Sequence, residues 1–95
     1  MPFFILTCQD KPDHLELRKA TREKHLAFFN QADNVRLAGP MLDQDGNPIG
    51  SMVILETETQ READEFADND PYHLAGLFEK RSLRRYNIVI NKLAD

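Results

Sequence analysis

The sequence holds one cysteine, Cys8, among 95 residues. No internal disulfide can form, and a reducing, cytoplasmic setting is the default expectation. Cys8 closes an apolar run, where a thiol behaves as a small buried hydrophobe rather than a nucleophile. No apolar stretch approaches the ~20 residues that span a bilayer. The opening Met-Pro-Phe-Phe-Ile-Leu has neither the basic flank nor the cleavage site of a secretory signal. An excess of positive charge is also missing: 12 Lys and Arg stand against 16 Asp and Glu, for a net charge of −4. Neither nucleic acid nor an anionic membrane is therefore expected as a partner. The local basic group Lys80, Arg81, Arg84 and Arg85 reads as solvated strand ends. Metal-ligand spacing is absent as well. His14, His25 and His73 form no HxH or HxxxH pattern and there is no CxxC, so no metal and no cofactor is expected.

A chain of this length makes one domain, 1–95, and buries only about 60–65% of its unfolded surface. Residues 3–8 are β-prone and end at Asp10-Lys11-Pro12-Asp13. Asp13, with Glu16 three residues on, predicts a capped helix start, and the helix should run to about Ala32. Val35 to Ala38 reads as a second strand closed by Gly39-Pro40. Asp45-Gly46 marks a turn, and Ser51 to Glu56 a third strand. Thr59-x-x-Glu62 is a capping box for a second helix with the stripe Ala63, Phe66 and Ala67. Asn69-Asp70-Pro71 stops it. A short helical piece through Leu77 and a long last strand over 79–91, strongest at Tyr86 to Ile90, complete the order. The result is βαββαβ, which suits an α+β, ferredoxin-like four-stranded antiparallel sheet with two helices on one face.

Two helices cover one face of such a sheet, yet both faces are apolar. Phe3 and Ile5 oppose Phe4, Leu6 and Cys8; Met52 and Ile54 oppose Val53 and Leu55; Ile88 and Ile90 oppose Val89. A homodimer through apolar sheet faces, a dimeric α+β barrel, is the simplest cover.

The first helix carries polar residues inside its apolar half. Arg18, Arg22, His25 and Phe29 stand at i, i+4, i+7 and i+11 on one ridge, with Thr21 beside them. Lys19 falls on the opposite, solvated half. Polar groups under a sheet need partners. A water-filled cleft, a substrate anion or a buried carboxylate would supply them; alternatively the arginines reach outward and His25 is a satisfied half-buried side chain. Asp70 is the candidate carboxylate. By holding one imidazole nitrogen it would fix the tautomer and leave the other nitrogen free for proton transfer. Its plainer role is as part of an Asp-Pro turn.

At these residues the sequence resembles the YciI-like family, also called the YCII-related domain, over nearly the whole chain. The likeness is carried by Gln9-Asp10, Arg22-x-x-His25-Leu26, Leu37-Ala38-Gly39-Pro40, Gly50-Ser51, Asp70-Pro71-Tyr72 and Ala75-Gly76-Leu77-Phe78. The loop between Pro40 and Gly50 is short for the family, and the tail after Ile90 is polar where some relatives end in an aromatic, basic segment. The resemblance implies a ferredoxin-like fold, dimerisation and a cleft with a His-Asp pair, which maps onto His25 and Asp70. Some relatives eliminate HCl from a ring intermediate.

The expected chemistry is proton transfer of isomerase, lyase or dehydrochlorinase type on a small polar or anionic ring compound. His25 would be acid or base and Asp70 its partner. Arg22, one turn from His25, would hold an anion, with Ser51, Arg18 and Tyr72 as further contacts. Arg18, two turns away, suits the rim or a structural ion pair. The alternatives are a non-catalytic binding or sensing module using the same cleft, and a dimeric interaction protein.

Overall fold

Alternation along the first strand decides which way the sheet faces. The computed structural model describes residues 1–93. In β1 (Phe3–Asp10), Phe4, Leu6 and Cys8 are only 2–3% exposed, while Phe3, Ile5 and Thr7 on the other side are half-buried. The buried set packs on Phe29 of α1 (Leu15–Gln31), on Ala63 and Ala67 of α2 (Gln60–Asp68), and on Val53 and Leu55 of β3 (Pro48–Glu56). With β2 (Val35–Leu42), α3 (Pro71–Leu74) and β4 (Phe78–Tyr86), the strand order is β2-β3-β1-β4. Every neighbouring pair is antiparallel. This is the ferredoxin-like arrangement, with the helices on one face. Phe28 stacks on Phe66 with centroids 4.7 Å apart, and Phe29 meets Phe66 at 5.5 Å, which seats α1 against α2. No helix among the described residues is long and apolar enough to cross a membrane.

The second helix begins as its capping box dictates: Glu62 N donates to Thr59 Oγ1 at 3.2 Å. The first does not. Its cap position is His14, which makes no side-chain cap bond, and Asp13 lies outside at φ 60°. His14 Nδ1 instead contacts the Pro12 carbonyl at 2.7 Å. The turn after Pro12 consumes Asp13, so Glu16 has no partner for a capping box.

Gly39-Pro40 does not close β2, which runs on to Leu42, and β3 starts earlier, at Pro48. Because β2 is an edge strand, Pro40 can sit where no ladder donor is needed. The Asp45-Gly46 turn forms as expected: Asp43 Oδ1 accepts from Asp45 N and Asn47 N, both at 2.9 Å, and Gly46 takes φ 85°. Gly50 is required where β3 lies beside the end of β1, because a Cβ there would collide with the Cys8 carbonyl and the Met41 methyl.

The last strand differs most from expectation. It ends at Tyr86, opposite Phe3, and residues 87–91 lie outside it. The neighbour strand has run out: position 2 is proline, which has no N–H for a ladder. The apolar outer face is therefore built by β1, β2 and β3, from Phe3, Ile5, Leu37, Met41, Met52 and Ile54. Register places Lys80, Ser82 and Arg84 of β4 on that same face.

Burial pushes the Cys8 thiol from 9.0 up to about 12; Asp70 and Asp10 add to the rise, and Arg81 and Arg18 oppose it. An unfolded chain ionises this thiol first. The stability it contributes is complete below pH 9.0 and is lost as pH climbs toward about 12. Urea midpoints measured from about pH 8 to about pH 11 should therefore fall more steeply for the native chain than for Cys8→Ala. Parallel slopes would mean that the thiol ionises equally well in the fold.

Candidate active site

Arg18 is on the inner ridge of α1 and is 4% exposed. Asp10, at the end of β1, accepts from its Nε at 2.7 Å and from its Nη2 at 3.1 Å. The same Nη2 donates to Ser51 Oγ of β3 at 2.8 Å. Its guanidinium carbon lies 4.6 Å from the centre of the Tyr72 ring. A guanidinium has donors only. Ser51 must therefore accept here, which leaves its own hydroxyl proton to donate elsewhere. Thr21, the other polar residue of the buried ridge, donates to the Leu17 carbonyl at 2.8 Å within its helix.

His25 stands two turns further along. Its Nδ1 lies 2.7 Å from Asp70 Oδ1. The Asp70 side chain is 4% exposed and that of His25 12%. Asp70 serves as the N-cap of α3, where Oδ1 also accepts from Tyr72 N at 3.0 Å and Pro71 follows as the first helical residue. An ionised carboxylate only accepts, so Nδ1 carries the proton and Nε2 holds the lone pair of the neutral ring. Nε2 makes no hydrogen bond within the described chain. The imidazole is clamped by rings: Tyr72 stacks on it at 3.9 Å, nearly parallel at 16°, and Phe29 lies 4.2 Å away. Burial pushes the Tyr72 phenol above its ordinary value, against the pull of Arg18 and Arg22.

These residues border a cleft of about 730 Å³ between α1 and β2, with β3 as its floor. Arg18, Arg22, His25, Ser51 and Tyr72 all line it. Arg22 is exposed, and neither it nor Lys19 joins an ion pair among the described residues. Apolar wall is supplied by Leu26, Phe29, Pro40, Leu42 and Val53. The cleft thus has two cations at its mouth, a hydroxyl and an imidazole within, and aliphatic and aromatic sides. Among the described residues no cluster of three or more His, Cys, Asp and Glu side chains is placed to hold a metal.

Two residues escaped the sequence reading. Lys19 was expected on the solvated half of α1 but borders the cleft mouth; the helix is read about its axis, and a long side chain reaches around it. Asp10, which in the sequence marks only the end of the first strand and part of Gln9-Asp10, carries the buried arginine. A lone acid at the end of an apolar strand was the available signal.

The YCII-related domain matches residues 2–87. The chain belongs to the YCII-related domain family. It is similar to Protein YciI of Escherichia coli O6:H1, at 36% identity over 90% of this chain and 97% of the relative. Among solved structures it is similar to the 5-chloro-2-hydroxyhydroquinone dehydrochlorinase TftG of Burkholderia phenoliruptrix AC1100, seen in complex with 2,5-dihydroxybenzoquinone. That likeness has a TM-score of 0.82 and 30% identity, over 90% of this chain and 93% of the other. An antibiotic biosynthesis monooxygenase is similar in fold, with a TM-score of 0.59 at 12% identity over 95% of this chain and 100% of the other.

The two arginines of the cleft should separate in a stability experiment. Removing Arg18 strands the Asp10 carboxylate, whose side chain is 7% exposed. Breaking a buried pair from one side costs about 3–5 kcal/mol. Arg18→Ala should lose stability on that scale in denaturant unfolding, whereas Arg22→Ala should stay within about 0.5 kcal/mol of the native chain. Equal losses would show that Arg22 is also structural.

Proposed function

We propose that this protein is a cofactor-free enzyme of proton-transfer type. On this reading it is an isomerase, or a lyase of the dehydrochlorinase kind, acting on a small polar or anionic ring compound. The observation that carries the reading is the 2.7 Å bond between His25 Nδ1 and buried Asp70. A neutral imidazole held this way offers Nε2 as a base, and the adjacent carboxylate stabilises the imidazolium that forms. In an elimination, Nε2 takes the proton, the carbon–hydrogen pair becomes the new double bond, and the leaving group departs as an anion. In an isomerisation the same proton is returned to another atom of the ring. Arg22 holds a substrate carboxylate or enolate through its planar fork, and the Ser51 hydroxyl donates a second bond. Arg18, already committed to Asp10 and Ser51, sets the floor of the cleft and the orientation of that hydroxyl. A volume of about 730 Å³ accommodates one ring. The likeness to a dehydrochlorinase of a chlorinated hydroxyhydroquinone supports a hydroxylated ring as substrate.

The working form on this reading is a cytoplasmic homodimer. Phe3, Ile5, Met52 and Ile54 lie on the sheet face opposite the helices, and a second copy stacked there would remove them from water.

The decisive assay is turnover of chlorinated hydroxyhydroquinones and isomerisable ring anions. His25→Ala should lower kcat by about 100-fold or more, and Asp70→Asn should do so at unchanged substrate affinity. If no reaction occurs with any compound and His25→Ala abolishes binding instead, the cleft is a binding or sensing site without chemistry. Calorimetric titration with cyclic and aromatic carboxylates should show that Arg22→Ala loses about 1.5–3 kcal/mol of binding. An equal loss on Arg18→Ala would refute the division between the two arginines.

Sedimentation at micromolar concentration should give twice the chain mass, and Ile5→Asp should reduce it to the monomer. A native monomer under those conditions would end the homodimer reading.

A further inference from the structure

The cleft is larger than one ring, and its two ends differ in chemistry. A dry apolar cavity of about 150 Å³ takes one benzene, whereas this cleft measures about 730 Å³. The α1 residues that line it run from Arg18 to Asn30. At about 1.5 Å of rise per residue the span is about 18 Å. His25 stands near its middle, about 5 Å along the axis from Arg22 and about 6 Å from Phe29. Charge is confined to one side of that midpoint. Arg18, Lys19 and Arg22 precede His25; past it α1 lines the cleft with Leu26, Phe29 and Asn30, and among the described residues no charged side chain lines that end. Asn30, the one polar side chain there, is uncharged and exposed. Leu26 is left 46% exposed on the cleft wall.

The sheet repeats this order independently. Arg18 Nη2 donates to Ser51 Oγ, so the cationic end of α1 lies over Ser51. In the β2–β3 ladder Ser51 stands opposite Pro40, Val53 opposite Ala38, and Leu55 opposite Val35. These pairs share one face, and each step of two residues advances about 6.5 Å along the strands. Only the first of the three rungs carries a polar side chain. The last lies toward the other end of the helix, because β2 begins at Val35 just after α1 ends at Gln31. Helix and sheet therefore agree on which end is charged and which is aliphatic. A bare ring held by Arg22 and His25 would leave the aliphatic end full of water against apolar walls, an unfavourable arrangement that an apolar substituent removes.

We propose that the cleft takes an amphipathic ring acid, with its anionic group between Lys19 and Arg22 and an apolar side chain laid from His25 along Leu26 and Phe29 toward Ala32. The inference deepens the proton-transfer reading and rests on it only for the placing of the ring at His25. Lys19 becomes a specificity residue: Arg22 supplies a planar fork, and Lys19 a second, less directional charge on the same side of the ring. The anion and the apolar chain of the ligand must then lie at opposite ends of the ring, with the reacting carbon between them.

The test is calorimetric titration with para-alkylbenzoates carrying methyl, propyl and pentyl chains. In the native protein Kd should fall about tenfold or more from methyl to pentyl, since a fully buried methylene is worth about threefold to fourfold. Ala32→Phe fills the far end of the cleft, and Ala32→Leu is the milder second variant; circular dichroism checks that each is folded. In both, the ratio of the methyl to the pentyl Kd should shrink, to within about threefold for Ala32→Phe. Lys19→Gln should weaken all three acids by the same factor, about twofold to fivefold, and keep the ratio. A native Kd that ignores chain length would overturn the inference. So would a ratio that survives intact in folded Ala32→Phe and Ala32→Leu, since the chain would then lie elsewhere. An effect of Lys19→Gln confined to the pentyl acid would overturn the orientation. If the native protein binds none of the acids yet turns over a chlorinated hydroxyhydroquinone, the amphipathic ligand is wrong and the proton-transfer reading stands. A full chain-length gain with no turnover of any ring compound upholds the ligand class and removes the chemistry.

Discussion

A guanidinium that is 4% exposed must find acceptors inside the protein, and those available to Arg18 come from three different elements. Asp10 closes β1, Ser51 opens the inner run of β3, and Tyr72 in α3 offers its ring. Satisfying this one side chain therefore fixes how α1 lies across the sheet and how α3 lies against α1. The pair with Asp10 is not in itself a large net source of stability, because both charges leave water to form it. What it contributes is registration. With the helix pinned at Arg18, the residue two turns on, His25, has only one height and one azimuth available, and these face it to Asp70.

Asp70 joins two requirements in one carboxylate. Helix α3 is only four residues long and gains little from its own backbone bonds, so its start must be imposed. Proline at the first helical position supplies the φ angle, and the Asp70 oxygen supplies the acceptor for Tyr72 N. That same oxygen receives His25 Nδ1. Because the cap holds the carboxylate, the histidine does not need to, and a change in imidazole protonation can occur without loosening the turn. Tyr72, started by the cap, then lies flat on the imidazole and beneath the guanidinium, so one ring joins Arg18 to His25.

Most of this was legible in the sequence, for identifiable reasons. The order of elements followed from strand alternation, one capping box and the stop at Asn69-Asp70-Pro71. The ridge of Arg18, Arg22 and His25 stood out because charged groups at helical spacing on an apolar face demand partners. The Asp70 pairing was legible only as a chemical need joined to a family resemblance; spacing alone left it as a turn. Failures cluster where the outcome depended on a neighbour distant in sequence. Gly39-Pro40 looked like a strand end, but an edge strand does not need that N–H. Tyr86 to Ile90 looked like the strongest part of the last strand, but a strand needs a partner, and β1 starts too late to provide one. Asp13 looked like a cap, but the turn at Pro12 placed it at φ 60° before the helix began. Local chemistry was read correctly in each case, and tertiary geometry decided against it.

A chain this short cannot cover four strands with two full-length helices, and the uncovered strand is where the cleft lies. Helix α2 packs toward β4 and α1 toward the sheet centre; β2, at the far edge, keeps only Val35 half-buried and leaves Arg36 to Leu42 exposed. The gap between α1 and β2 is therefore a consequence of the fold's proportions. It acquires its character from which side chains border it: cations from α1, a hydroxyl from β3, aliphatic wall from β2. The same scarcity of cover leaves the outer sheet face apolar on three strands. β4 is mostly polar there, with Lys80, Ser82 and Arg84 before Tyr86, and it is the strand whose apolar continuation lies beyond its own sheet. A single chain solves its own packing on one face and at one edge. The outer face, the β2 edge and the residues after Tyr86 are left without cover from either long helix.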